Sequence, residues 1–357
     1  MRTLRRYLAA EVVAATGLVI LALLMLFAFF DLVEEMKDLG RGGYRMQHIA
    51  LHVLLSLPGH VYEVFPIAAL IGTLFAMAQL VASTEYTVIR TSGVSLPRLN
   101  GALLSTGAVF AVITFAFGEF VGPPAEQFAQ RLRSLAIAGI VAQEFRSGLW
   151  VKDGRNFVNV GEVTPDAQLK RIRIYEFDED YRLSTLSLAE SGTYLRDRTW
   201  TLNGVVRTTF EGSRTRVHQI AELEWSSVLE PQLLAMLLLK PDRMSAWSLY
   251  SYTQHLKENR QKALRYEIAL WMKGMYPAAV LVMMVLAVPF ASFQKRQGGV
   301  GARIFTGIML GLAFYTFNRL FASLGLLYDW PAAFAAVTPT LFFLALALGM
   351  MWWQERR

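Results

Sequence analysis

The sequence predicts an α-helical membrane protein with six transmembrane helices, three on each side of an inserted, all-β, jelly-roll-like domain. Hydrophobic residues make up 54% of the 357 residues, and the mean hydropathy is +0.36. A soluble domain rarely reaches these values, because its surface must be polar. The apolar residues gather in long uncharged runs toward the two ends of the chain, whereas the middle alternates apolar and polar residues. The uncharged runs therefore indicate a membrane region, and the alternating segment indicates a domain outside the membrane.

Each end of the chain holds three runs long enough to cross a bilayer, whose hydrocarbon core requires about 20 apolar residues in helical form. Five of the runs carry no charge: Val12–Phe30, Val64–Thr84, Leu99–Gly118, Gly274–Gln294 and Trp330–Gln354. The remaining run, Ile304–Tyr328, contains one charge, Arg319, in its last third. From there the long side chain can reach the membrane interface. The first run is longer than the apolar part of a signal peptide, so we interpret it as a span.

Basic residues predict the orientation of these spans, because Lys and Arg are concentrated in cytoplasmic loops. They gather before the first span, between the second and third, between the fourth and fifth, and after the last. With six spans, all four places lie on one side of the membrane. We therefore expect both termini in the cytoplasm and the β-domain on the opposite side.

The middle of the chain predicts short strands. Apolar residues alternate with polar ones, and turn residues separate the segments. The clearest alternations are Val158–Val160, Ile172–Ile174 and Trp200–Leu202, and the turns are expected at 153–156, 178–180 and 196–198. Roughly eight short strands at this spacing predict a sandwich or jelly roll.

Helices are expected on both sides of the strands, at 125–138 and after a capping residue, Ser245. The predicted organisation has three parts. These are 1–120 with the first three spans, 121–272 with the β-domain and its flanking helices, and 273–357 with the last three spans.

No enzymatic motif is present. The sequence lacks a phosphate-binding Gly-x-x-x-x-Gly-Lys-Ser/Thr loop, a HExxH zinc motif, a G-x-S-x-G elbow and any cysteine. His48 and His52 are one helical turn apart, but no third metal ligand is evident. We expect the acidic group Glu34, Glu35 and Asp38 to be a solvated helix end. The sequence therefore predicts a non-catalytic chain without a metal or other cofactor.

Two groups of residues are candidates for function. Residues 84–93, between the second and third spans, predict a short amphipathic helix at the membrane surface that a cytoplasmic partner can bind; Glu85, Tyr86 and Arg90 belong to it. Basic residues at the opposite mouth can attract an anionic head group. They are Lys37, Arg41, Arg131 and Arg133.

Long motifs resemble the YjgP/YjgQ (LptF/LptG) permease family over essentially the whole chain. They are DLVEEMKDLGRGGY (31–44), LLSLPGHVYEVFPIAALIGTLFAMAQLVASTEYTVIRTSG (54–93), GEFVGPPAEQFAQRLR (118–133), GLWVKDGRNFVNV (148–160) and RYEIALWMKGMYPAAVLVMMVLAVPF (265–290). The resemblance implies a permease subunit of the lipopolysaccharide export ABC transporter in the bacterial inner membrane. The subunit pairs with LptF, is driven by a dimer of the LptB ATPase, and passes lipopolysaccharide through periplasmic β-jelly rolls to LptC and LptA.

The resemblance also implies roles for individual residues. Residues 84–93 match the family's coupling helix, with Glu85 at the position that meets the ATPase. Arg133 matches a basic position that faces the phosphates of the substrate, and the first and fifth spans match those that line lateral gates. The chain departs from the family at Asp31, Gly59 and Gln130, where other members can be basic. Lys37 and Arg131 are expected to supply the positive charge that is missing at these three positions, unless the lipid carries different phosphate substituents.

Three alternatives follow from the same sequence. The chain can be the sister subunit LptF. It can be a secondary transporter of another lipid-like substrate, although its spans carry few ionisable residues. It can also be a permease-like protein that moves no substrate, although such proteins place their large domain after the first span.

Overall fold

The structure, a computed structural model, describes residues 2–94, 96–137, 148–164, 168–196, 198–211, 214–227, 241–293 and 300–356. Its helices are α1 (Arg2–Glu35), α2 (Met46–Ala82), α3 (Glu85–Thr91), α4 (Leu96–Ala116), α5 (Gly122–Ala136), α6 (Ala246–Glu258), α7 (Leu264–Phe293), α8 (Val300–Leu327) and α9 (Ala332–Glu355). A π-helical turn, Phe117–Val121, joins α4 to α5. Helices α5 and α6 correspond to the two helices that the sequence predicts on either side of the strands.

Six helices in the described part of the chain are long and apolar enough to span a membrane, as predicted. They are α1, α2, the continuous α4–α5 helix, α7, α8 and α9. Several extend well beyond the uncharged runs: α2 begins at Met46, whereas its run begins at Val64. Polar residues such as His60 and Glu63 end the run but leave the helical backbone intact. Arg319 lies within α8, which is the fifth of the six spans along the chain.

Helix α2 is the centre of the bundle. Leu70, Leu74 and Met77 on α2 are buried in the same apolar cluster as residues of α1, α4, α7, α8 and α9. In its most apolar stretch 83% of residues are buried, against 11% for α1 and 22% for α8. Helices α1 and α8 therefore leave the largest apolar faces on the outside of the chain.

The β-domain is one antiparallel sheet whose six described strands pair in chain order. They are β1 (Leu149–Asp153), β2 (Asn156–Val163), β3 (Leu169–Phe177), β4 (Leu183–Arg196), β5 (Thr199–Glu211) and β6 (Arg214–Ser226). The sequence predicted about eight shorter strands, but β4, β5 and β6 each run for 13 or 14 residues. The described strands contain no Greek-key crossover of the jelly-roll kind.

The predicted alternation and turns are confirmed. Val158, Ile172, Trp200 and their alternating neighbours are buried together on one face of the sheet. Turns join β1 to β2 and β3 to β4 at the predicted places, and β4 ends and β5 begins on either side of the third predicted turn, in which residue 197 lies outside the described residues. At the second of these, the Asp178 carboxylate accepts hydrogen bonds from the backbone N–H groups of Asp180 and Arg182, at 2.9 and 2.8 Å, so the aspartate stabilises its own turn.

Candidate lipid-contact and docking sites

The end of the bundle from which α5 leads to the sheet, and to which α6 returns, is called the sheet end below. Arg133, near the end of α5, is bound there by two carboxylates. Its Nη2 donates to Asp38 Oδ2 at 2.5 Å, and its Nε lies 3.3 Å from Glu35 Oε2. The side chain of Arg133 is 32% exposed. The guanidinium thus joins α5 to the end of α1 and still reaches the surface.

Glu35 is buried, with three neighbours around its carboxylate. Besides Arg133, Tyr44 Oη donates to Glu35 Oε2 at 2.7 Å, and His52 Nε2 lies 3.5 Å from Oε1. Burial and this hydrogen bond raise the pKa of the Tyr44 hydroxyl well above its ordinary value. The prediction of a solvated acidic helix end is therefore wrong for Glu35 and Asp38, because α5 brings Arg133 against them.

The other three predicted basic residues are more exposed than Arg133, and only Arg41 shares a partner with it. Arg41 Nη1 lies 2.5 Å from Asp38 Oδ1, so Arg41 and Arg133 share one carboxylate. Lys37 pairs with Glu34 at 2.6 Å, and both side chains are exposed. Arg131 is exposed on α5 and makes no ion pair with the residues that the structure describes. The structure thus brings together Arg41 and Arg133, while Lys37 and Arg131 point to the surface.

His48 and His52, which were considered as a pair of metal ligands, have separate hydrogen-bond partners. His48 Nδ1 accepts from the backbone N–H of Arg45 at 3.1 Å, at the start of α2. His52 Nδ1 lies 3.2 Å from the carbonyl oxygen of Ala129. In the described ranges no three His, Asp or Glu side chains form a group that could hold a metal ion.

A second charged cluster at the sheet end was missed by the sequence reasoning. Arg243 Nε lies 3.5 Å from Glu63 Oε1 on α2, and its Nη1 lies 3.4 Å from Glu126 Oε2 on α5. His60 Nε2 lies 2.7 Å from Asp31 Oδ2, which links α2 to α1. Arg243 is more than 100 residues from both Glu63 and Glu126, and Asp31 is 29 residues from His60, so no local pattern indicates these pairs.

The three positions of departure from the family belong to this second cluster. Asp31 pairs with His60, and Gln130 donates to Glu126 at 3.3 Å. Gly59 leaves room for Arg243, because a Cβ built there would lie 2.5 Å from Arg243 Nη1. The basic group that occupies the space beside position 59 is thus Arg243, and compensation by Lys37 and Arg131 stays a prediction.

The short helix at the opposite end is α3, which lies within the predicted range 84–93. Glu85 accepts a hydrogen bond from Tyr7 Oη of α1 at 2.9 Å, and both groups are exposed. The helix is followed by Gly93 at φ +86°, a left-handed conformation that favours glycine. Tyr86 and Arg90 lie in the helix, but their side chains are outside the described part of the structure.

The fold and these clusters define a multi-span membrane protein with a β-domain built between its two groups of spans. Residues 6–353 match the family model for the lipopolysaccharide export system permease LptF/LptG. The chain is 33% identical to the lipopolysaccharide export system permease protein LptG of Haemophilus influenzae, over 99% of this chain and 98% of the relative. It is 31% identical to the protein of the same name from Escherichia coli K12, over 98% and 97%. The chain belongs to the LptF/LptG family of lipopolysaccharide export permeases, and is therefore a multi-pass inner-membrane protein.

Proposed function

We propose that this chain is the LptG-type subunit of the lipopolysaccharide export transporter, and that it moves lipopolysaccharide from the inner membrane into its β-domain. The observation that carries the proposal is the similarity to two LptG proteins over nearly the full length of each chain. Because the match includes both groups of spans and the sheet, it concerns the whole architecture and not one common module.

In this proposal the sheet lies in the periplasm and both termini lie in the cytoplasm. Six spans in the described part of the chain support two termini on one side, and the basic loops favour the cytoplasmic side. From the sheet, the lipid passes to LptC and LptA.

The partner subunit is proposed to be LptF, packed against α1 and α8. These helices are the least buried of the six, and their exposed apolar side chains include Leu18, Met25, Ile308 and Leu312. Two such faces suit a second bundle, or lipid acyl chains that enter between the bundles. The lateral gates of the export pathway are proposed to lie along the same two helices.

The LptB ATPase is proposed to dock on α3 and to supply the energy from ATP, so that this chain needs no cofactor and no catalytic residue. Glu85 is exposed and held by one hydrogen bond from Tyr7, so its carboxylate remains accessible to a partner. Tyr86 and Arg90 lie on the same helix and are proposed to share the contact.

Lipopolysaccharide phosphates are proposed to meet the sheet end at Arg133 and Arg41, with Lys37 and Arg131 at the rim. Arg133 is already paired with Glu35 and Asp38, so a phosphate must share or replace a carboxylate there. Guanidinium groups suit this exchange, because their several N–H donors can bind two anions at once.

Two alternatives predict different partners. If the chain is the LptF-type subunit, its partner is an LptG. If it is a secondary transporter, it functions without an ATPase.

Purification of the tagged chain from native membranes, with mass spectrometry of proteins and lipids, tests the proposal. We expect LptF, LptB and lipopolysaccharide to copurify, and an unrelated tagged six-span protein serves as the control. Copurification of an LptG would indicate the sister identity. Recovery of the folded chain without an ATPase and without lipopolysaccharide enrichment would contradict the proposal.

A further inference from the structure

The segment that returns from the sheet to the bundle is held by side chains from several helices. The segment consists of the 3-10 turn Pro241–Arg243 and the first residues of α6. Besides the contacts of Arg243 with α2 and α5, Arg319 of α8 lies 3.8 Å from Asp242. Lys273 of α7, itself buried, donates a hydrogen bond to the carbonyl oxygen of Met244. Four helices thus hold one short stretch of chain.

Glu119, in the π-helical turn between α4 and α5, binds the first turn of α6. Its two carboxylate oxygens accept hydrogen bonds from the backbone N–H groups of Ala246 and Trp247, at 2.6 and 3.2 Å. Ser245, the predicted cap, accepts from the N–H of Ser248 at 3.0 Å. The first N–H groups of a helix have no partner within it, and its N-terminus favours a negative charge. A carboxylate from another span therefore completes the cap of α6.

This contact lies at the edge of the membrane. Each of four residues, Glu63, Glu119, Lys273 and Arg319, lies about 28–35 Å from the opposite end of its helix, counted at about 1.5 Å per residue. The hydrocarbon core is about 30 Å thick. Trp247 and Trp271, both at least half exposed, are near the same level, as expected for interfacial aromatic residues.

The far end of α6 touches the sheet. Asn259 Oδ1, just after α6, accepts a hydrogen bond from the backbone N–H of Gly154, in the turn between β1 and β2, at 3.4 Å. The helix is also fixed to the start of α7: Lys257 pairs with Glu267 at 2.6 Å, and the rings of Tyr252 and Tyr266 pack 4.6 Å apart. Helix α6 thus reaches from the membrane edge to the sheet.

We propose that Glu119 is a positioning residue for lipid transfer, which acts by fixing α6 and so holds the β-domain at a set place over the bundle. The role in transfer rests on the proposed function, whereas the positioning itself does not. A shift of the α4–α5 helix would move Glu119, and α6 would carry that shift to the sheet. Without the carboxylate, two N–H groups of α6 lose their partner and the first turn is held by fewer contacts.

Distances between spin labels test the positioning. The chain has no cysteine, so labels can be attached to Gln47→Cys at the start of α2 and Asp180→Cys in the β3–β4 turn, both exposed. We expect Glu119→Ala to broaden the distance distribution about twofold, and Glu119→Gln, which keeps an acceptor oxygen, to broaden it less. Glu34→Ala, which removes an exposed carboxylate at the same end, serves as the matched control and should leave the distribution unchanged.

An unchanged distribution in Glu119→Ala, or equal broadening in Glu34→Ala, would overturn the proposal. If Glu119→Ala does not fold, the comparison of Glu119→Gln with Glu34→Gln decides in the same way. Lipid transfer is measured separately, in vesicles that contain the complete transporter. There Glu119→Ala should lower the amount of lipopolysaccharide that reaches the sheet several-fold, with ATP hydrolysis retained. If Glu119→Ala broadens the distance distribution but lipopolysaccharide transfer stays normal, the role of Glu119 in transfer is wrong. The positioning of the β-domain by Glu119 would still hold, because it does not depend on the proposed function.

Discussion

The two ends of the bundle differ in how their charged groups are bound. At the sheet end, Glu35 and Arg243 are each held by partners on several helices. At the opposite end, Glu85 has one exposed hydrogen bond, from Tyr7. Buried charges need partners, because an unpaired charge away from water is costly, whereas an exposed carboxylate is solvated. The charged groups at the sheet end therefore hold segments of the chain together, whereas the Glu85 carboxylate stays exposed, as the proposed docking of the ATPase on α3 requires.

The largest expected effect follows from reversal of the charge at Arg133. Arg133→Glu would place a third carboxylate beside Glu35 and Asp38. We expect a loss of about 2–4 kcal/mol of stability, somewhat below the loss for a fully buried pair because Arg133 is partly exposed. Thermal unfolding of the purified variant in detergent measures the effect, and crosslinking to lipopolysaccharide should also decrease.

Arg131→Glu is the matched control, since Arg131 lies on the same helix but is exposed. We expect its unfolding temperature to stay close to that of the unmodified chain. Equal stability of the two variants would show that the contacts of Arg133 with Glu35 and Asp38 do not hold α5 to α1.

The next effect concerns the open end. Glu85→Lys should disrupt docking of the ATPase on α3 and reduce ATP-dependent lipopolysaccharide release about tenfold in reconstituted vesicles. Tyr7→Phe removes the hydrogen bond but keeps the carboxylate, so release should fall no more than about twofold. If Glu85→Lys releases lipopolysaccharide at the normal rate, the coupling role of Glu85 is wrong.

The smallest effect is a pH dependence at the sheet end. The raised pKa of Tyr44 means that its neutral form is favoured in the folded chain. The contribution to stability is complete below the ordinary tyrosine pKa of about 10 and is lost as the pH rises above it. Tyr44→Phe should therefore unfold at a lower temperature than the unmodified chain at pH 8, and the difference should shrink by pH 11. A difference that stays constant over this range would contradict the contact with Glu35.

The sequence predicted the six spans, the alternation in the sheet and the cap at Ser245, because each depends on local patterns. Apolar run length indicates spans even where, as in α2, the helix continues far past the run. The described part of the chain has six strands where about eight shorter ones were predicted, because β4, β5 and β6 each run for 13 or 14 residues.

The charged contacts at the sheet end could not be predicted in the same way. Arg133 and Glu35 were both noticed, one as a substrate contact and the other as a solvated residue, but their pairing depends on how α5 packs against α1. Arg243 and Glu119 each have partners more than 100 residues away. Such pairs follow from tertiary packing, which a single sequence does not encode in any local pattern.

The most direct test of the account asks whether lipopolysaccharide reaches the sheet when ATP is hydrolysed. A photo-crosslinking residue at position 194 would replace Tyr194, which packs against the apolar face of the sheet. The same residue at position 181, in the exposed β3–β4 turn, is the control. In vesicles that contain the complete transporter, we predict a lipopolysaccharide adduct at position 194 that requires ATP, and little adduct at position 181. An adduct at position 194 that forms equally without ATP, or no adduct at all, would contradict the account.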